Sequence, residues 1–291
     1  MKQSTGHVLM VRPASFGYNI QTTDNSFQQE INASEEEVLA EFGNMVVKLQ
    51  EAGIKVTVID DSPATICPDA VFPNNWFSTS CNRIILYPMY AENRRRERRD
   101  DLISLIRNEK EITDLTSGEH EGLFLEGTGS LVLDHLHKTA YAALSNRTHP
   151  DLVKEWSNIT GYKPVMFTAT DAGGNVIYHT NVMMCVGTGY VIVCTEAIEN
   201  KTDREIVLEE FRKNGQVVIE ISREQVAAFA GNMLELEGQE RRLLMSLRAY
   251  NCLSAQQLEM IKKNAAPLPI PIPTIETVGG GSVRCMVAEL F

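Results

Sequence analysis

The stretch TVGGGSVRCMVAELF, residues 277–291, decides how the rest of the chain is read. Three consecutive glycines, Gly279 to Gly281, lead to a single cysteine, Cys285, in a region where chains fray unless a strand ties them into a sheet. The segment RCMVAEL (284–290) has the apolar content of such a strand. At the other end, HVLMVRP (7–13) reads as a strand with no partner before it. Pairing the two closes the chain into a ring.

Between these ends one phrase recurs: two apolar strand-like runs, an amphipathic helix, then a short β-rich run. The helix is clearest in SEEEVLAEFGNMVVKLQEAG (34–53), where Ser34 is an N-cap, acidic residues fill the first turn, and Gly53 is the stop. IKVTVID (54–60) follows as a strand. Later units read NWFSTS and RIILYP; LFLEGTGSLVLD and KTAYAAL; IYHTNVMMCVGTGYVIVCTE; and QVAAFAGNMLELEG with RRLLMSLRAY, each followed by a helix and a strand. Five ββαβ units closed by a terminal strand predict an α/β fold, a five-bladed propeller with pseudo-fivefold symmetry, formed as a single domain over residues 1–291.

Composition narrows the partners. With 43% hydrophobic and 22% charged residues, the chain has enough apolar surface for a sizeable core. A net charge of -11 argues against nucleic-acid binding, which needs an excess of Lys and Arg on one face. The basic run NRRRERRDD (93–101) is read as an exposed helical face, because LISLIRNE after it has helical spacing. No apolar run approaches a membrane span or a signal peptide, so a cytoplasmic protein with no membrane partner is expected. Self-association into a homo-oligomer is left open. The six cysteines lack CxxC spacing, so free thiols, no metal and no cofactor are expected. Cys185 and Cys194 read as core, and His135 and His137 as solvated turn residues.

In a five-unit ring, the starts of the units meet at one mouth. The aligned stretches PNNWFST, EGTGSLVL, YHTNVMMCV, AGNMLELE and SVRCMVAEL place Asp69 or Asn75, Glu126, His179 and Cys285 there. A thiol attacks only as thiolate, and a histidine partner favours that form. The glycines leave room for close approach beside it. There is neither a G-x-S-x-G elbow nor a phosphate-binding GK[ST], which sets aside serine hydrolases and P-loop enzymes.

Together, GGGSVRCM, LFLEGTGSLVLD, YHTNV and CPDAVFPNNWF resemble the guanidino-group-modifying superfamily, the penteins. Its members include arginine deiminases, dimethylarginine dimethylaminohydrolases, agmatine deiminases, succinylarginine dihydrolases and amidinotransferases. The closest pattern is that of the bacterial citrulline-utilisation, amidinotransferase-like branch. The resemblance covers the whole chain and implies a five-bladed α/β propeller and a covalent mechanism on a small guanidino or ureido substrate. Cys285 would attack the central carbon, His179 would protonate the departing amine and then activate water, and Glu126 would grip the planar nitrogens.

Two positions depart from the family pattern. Asn75 and Asn181 stand where several relatives carry carboxylates, and an amide fits a ureido group as well as a guanidinium. Asp69 is a further substrate contact, and Arg12 and Asn25 would reach the substrate's α-carboxylate and amine. The expected activity is a cysteine hydrolase acting on arginine, citrulline or a close derivative with release of ammonia. Amidino transfer, dihydrolysis with two ammonias released, and non-enzymatic binding of an arginine-like ligand stay open as alternatives.

Overall fold

The helix after Ser34 illustrates how local sequence sets the architecture. In a computed structural model that describes residues 2–107 and 109–291, it spans Glu35–Glu51, and the Glu37 N–H donates to the Ser34 hydroxyl. Val38, Phe42, Met45 and Leu49 recur at helical spacing, are buried, and pack on Val8 and Met10. Each such burial contributes roughly 1.5–3 kcal/mol. Gly53 then takes φ +83°, letting the chain reverse into a strand.

That strand belongs to the first of five three-stranded sheets. In it β1 (His7–Arg12) pairs in parallel with β2 (Lys55–Asp60). Four sheets of one pattern follow, each an antiparallel pair and then a helical crossover to a parallel third strand. They are β3 (Phe77–Thr79), β4 (Arg83–Leu86) and β5 (Glu111–Asp114); β6 (Val132–Asp134), β7 (Thr139–Ala143) and β8 (Lys163–Phe167); β9 (Met184–Gly187), β10 (Tyr190–Val193) and β11 (Val217–Glu220); β12 (Leu234–Glu237), β13 (Arg241–Ser246) and β14 (Ala266–Ile270). Finally β15 (Ala288–Glu289) returns to β1, Ala288 opposite Leu9 and Glu289 opposite Val8, antiparallel. The two ends of the chain therefore complete one sheet. First strands of neighbouring sheets also touch, β6 on β9, β9 on β12 and β15 on β3. Among the described residues no helix is long and apolar enough to cross a membrane.

Three sequence expectations need correction. LFLEGTGSLVLD is not one strand, because Gly127–Ser130 forms a helical turn and only Val132–Asp134 is extended. The basic run is not a uniform exposed face, since its helix breaks between Glu92–Arg95 and Asp100–Arg107 and Arg94 is 2% exposed. Its counter-ions come from the turn after it and from distant segments, which helical spacing cannot reveal. Nor is His135 a solvated turn residue. It is buried, its Nδ1 lies 2.6 Å from the Tyr162 hydroxyl, and its ring packs edge-on against Phe291.

Burial, reinforced by the nearby Arg284 charge, pushes the His135 imidazole down to about 4 from its ordinary 6.5. The folded protein thus resists a proton that the unfolded chain accepts. Stability is full above pH 6.5 and falls as pH drops towards 4, by up to about 3 kcal/mol. His135→Gln is expected to flatten that acid limb in urea midpoints measured from pH 7 to 4. An unchanged slope would assign the acid loss to other groups.

Candidate active site

Each first strand is preceded by a short turn, and these turns carry the polar residues of interest. Pro73–Asn75 lies ahead of β3, Gly127–Ser130 ahead of β6 and Thr180–Val182 ahead of β9. The turn at 228–231 lies ahead of β12 and the turn at 283–286 ahead of β15. Cys285 sits in the last of these, its N–H donating to the Ser282 carbonyl at 2.9 Å. It is therefore not in the closing strand, which is only two residues long.

Cys285, His179, Asp69, Asn75, Arg94 and Arg147 face one small cavity, with Asn25 and Gly279–Gly281 on its walls. Cys285 is 6% exposed, enough for a ligand inside the cavity to reach the sulfur but not for bulk access. Two side-chain amides point at Sγ, the Asn232 Nδ2 at 3.3 Å and the Asn181 Nδ2 at 3.5 Å.

Behind the cavity wall, the His179 Nε2 lies 2.8 Å from the Glu126 Oε2. The second Glu126 oxygen accepts the Tyr90 backbone N–H at 2.9 Å, and the Arg147 guanidinium stands 3.5 Å from the carboxylate. Burial opposes ionisation of Glu126, but Arg147, the His179 hydrogen bond and Arg94 outweigh it and hold the carboxyl well below the usual range. Glu126 is thus an anion at neutral pH and takes the Nε2–H, leaving Nδ1 as the proton acceptor of a neutral ring. Burial also pushes the His179 imidazole down, only partly offset by Glu126. The reading of Glu126 as a clamp on substrate nitrogens is corrected here. Both of its oxygens are engaged by protein groups and it does not line the cavity.

The cavity instead offers Asp69. Its Oδ2 accepts from the Asn19 amide at 2.7 Å, while Oδ1 is buried with no hydrogen-bond partner among the described residues. Burial pushes this carboxyl up, against the pull of Arg94 3.8 Å away and of the Asn19 amide. A cation beside it would restore the charged form. Asn75 is locked by Arg94, which donates to its Oδ1 at 2.7 Å, so the Asn75 Nδ2 is left with no hydrogen-bond partner among the described residues. Arg94 is in turn held by Glu97 at 2.8 Å.

The glycines answer to space and conformation. Gly280 has φ +63°, and a Cβ there would lie 2.5 Å from the Asn25 Nδ2. That amide donates to the Gly280 carbonyl at 3.2 Å, so Asn25 braces the glycine loop. Arg12 is not brought to the site. It ends β1, is exposed, and pairs with Asp60 at 2.6 Å.

Arg94, Arg147 and Asn232 were not anticipated. Arg94 was hidden in the basic run and Arg147 in a turn, without a sequence signal. Asn232, however, stands in AGNMLELE, one of the aligned stretches, and was legible there.

Comparison with known proteins gives three findings. No curated protein matches the sequence. Among solved structures, ArgZ, an arginine dihydrolase from the ornithine–ammonia cycle in cyanobacteria, superposes with a TM-score of 0.80 at 16% identity. The match covers 98% of this chain but 40% of the full-length ArgZ chain. Against the isolated N-terminal domain of ArgZ, in a cysteine-to-serine variant bound to substrate, the shared part is 98% of this chain and 97% of the other, again at 16% identity and a TM-score of 0.80. The dimethylarginine enzyme DDAH from Pseudomonas aeruginosa, in a cysteine-to-serine variant complexed with citrulline, gives a TM-score of 0.70 at 14% identity, covering 99% of this chain and 100% of that one. At such identities these structures establish a shared α/β fold. The third finding is a family model described as N,N dimethylarginine dimethylhydrolase, eukaryotic, which matches residues 12–291. Since that match takes in everything from the last residue of β1 onwards, Cys285 included, the chain belongs to the N,N dimethylarginine dimethylhydrolase family, within the guanidino-group-modifying superfamily.

Proposed function

We propose that this protein is a cysteine hydrolase that attacks the guanidino or ureido carbon of arginine, citrulline or a close derivative and releases ammonia or an amine. One observation carries the reading: a sulfur faced by two amide donors shares a small buried cavity with a carboxylate-anchored histidine and an unpartnered carboxylate oxygen.

The geometry supports the following roles. Asp69 Oδ1 accepts a guanidinium N–H. His179 Nδ1 takes the Cys285 proton, and the thiolate adds to the central carbon. The imidazolium, steadied by Glu126, returns the proton to the leaving nitrogen, which departs as neutral amine. A thiouronium-type adduct remains on Cys285. Neutral His179 then removes one proton from water as it adds to the carbon; the C–S bond breaks, the remaining hydroxyl proton passes to the departing sulfur to restore the thiol with a C=O on the product, and the imidazolium gives its proton to solvent. We read the five sheets as blades of one propeller with pseudo-fivefold symmetry forming a single catalytic domain, supported by the contacts between first strands and by closure of β15 on β1.

The second reading is dihydrolysis, favoured by Asn75. Its locked amide presents a donor, and a donor suits the carbonyl of a ureido product better than it suits a guanidinium. The test is a panel of arginine, citrulline, agmatine, N-methylated arginines and succinylarginine scored for ammonia and amine per turnover. Release from at least one is expected. Two ammonias per arginine select dihydrolysis, one selects simple hydrolysis, and none from any substrate would sink the proposal.

A further inference from the structure

Asn232 has no part in the reaction as written above. It is 1% exposed and lies between the two turns that carry the thiol and the histidine. Its Oδ1 accepts the Arg284 backbone N–H at 3.1 Å, which fixes the oxygen end of the amide. Nδ2 must then face the other way. There it donates to the Asn181 carbonyl at 3.1 Å and to Cys285 Sγ at 3.3 Å. One side chain thereby ties the turn at 283–286 to Thr180–Val182 and aims an N–H at the sulfur.

The surrounding backbone is strained to hold this position. Phe229, three residues earlier, takes φ +63°, a region that costs a bulky residue on the order of 1–3 kcal/mol. Its ring is held by Phe27, 5.4 Å away, and by the Arg248 guanidinium at 5.5 Å. Gly231 is pressed onto the neighbouring turn so closely that a Cβ would lie 2.3 Å from the Val182 carbonyl oxygen. Only glycine permits that approach.

We infer that Asn232 is a positioning residue for the nucleophile: it fixes the Cys285 sulfur at the cavity and, with the Asn181 amide, stabilises the sulfur's anion before substrate arrives. An amide N–H gains most from an ionised acceptor. The neutral thiol has a poorer alternative, since its own proton finds the Asn232 Oδ1 only at 3.8 Å. The inference rests on the nucleophile role given to Cys285 under Proposed function.

The test needs no substrate. The rate of Cys285 alkylation by 2-chloroacetamidine, located by mass spectrometry, is followed against pH in the wild type, Asn232→Asp and Asn232→Ser, with thermal unfolding in parallel. Aspartate keeps the acceptor for Arg284 but loses the donor and adds negative charge. It is expected to slow alkylation at neutral pH about tenfold or more and to move the midpoint of the profile upwards by about a unit or more. Serine removes the reach without adding charge and is expected to shift the midpoint in the same direction by less. A merely structural asparagine would lower the unfolding temperature and leave the midpoint where it was, which overturns the inference. If aspartate prevents folding, the serine profile decides by the same criterion. Should Cys285 in the wild type react no faster than the other five thiols, the nucleophile role itself fails and the inference with it.

Discussion

Cys285→Ser is expected to lower amine release from the best substrate roughly 10⁴-fold or more, with the fold intact. A hydroxyl is far harder to ionise than a thiol, and the neutral His179 is too weak a base to make up the difference. The two amides aimed at Sγ, at 3.3 Å and 3.5 Å, would still find an oxygen, so the turn keeps its anchors. Stability should change by less than about 1.5 kcal/mol, because the exchange nearly conserves volume. Steady-state turnover and urea unfolding measure the two quantities separately. A variant that folds normally and retains turnover within about tenfold of wild type would show that another group attacks the carbon.

Glu126 gives the second large effect, and its substitution distinguishes two accounts of the site. As the anchor of His179 it acts on proton transfer, so Glu126→Gln is expected to depress kcat by on the order of 10² to 10⁴ with KM little altered. As a clamp on substrate nitrogens it would instead raise KM and leave kcat nearly unchanged. The geometry favours the first outcome, since the carboxylate is fully buried between His179, the Tyr90 N–H and Arg147. Glu126→Ala goes further. It strips a buried guanidinium of one of its two carboxylates, the other being Asp24, and is expected to cost about 3–5 kcal/mol of stability. Glutamine, which keeps the shape, separates the kinetic effect from that loss.

The pairing of the two chain ends was legible because an apolar segment without a neighbour stood at each end of the sequence, and an apolar strand with an open edge is a liability that pairing removes. The helix after Ser34 was legible because cap, charge and apolar spacing all agreed. Cys285 and His179 could be placed together from the aligned unit starts alone. Finer matters were not legible. Whether Cys285 lies in a strand or in the turn before it depends on one hydrogen bond to Ser282. The direction in which Glu126 points is decided by Tyr90 and Arg147, residues 36 and 21 positions away that no local pattern connects to it. Arg94 illustrates the same limit from the other side. A run of arginines reads as solvated, yet one member is drawn inside because Glu97, Asp69 and Asn75 happen to meet it there.

The pairing of Ala288 with Leu9 also sets a timetable for biosynthesis. The first sheet waits for a partner made 279 positions later (288 minus 9), and at roughly 5–20 residues per second that interval is on the order of a quarter of a minute to a minute. By its later part Glu126 and His179 have been synthesised while Cys285 has not. Under the proposed mechanism a nascent chain therefore carries its acid–base pair before its nucleophile, and becomes chemically competent only as the first sheet is completed.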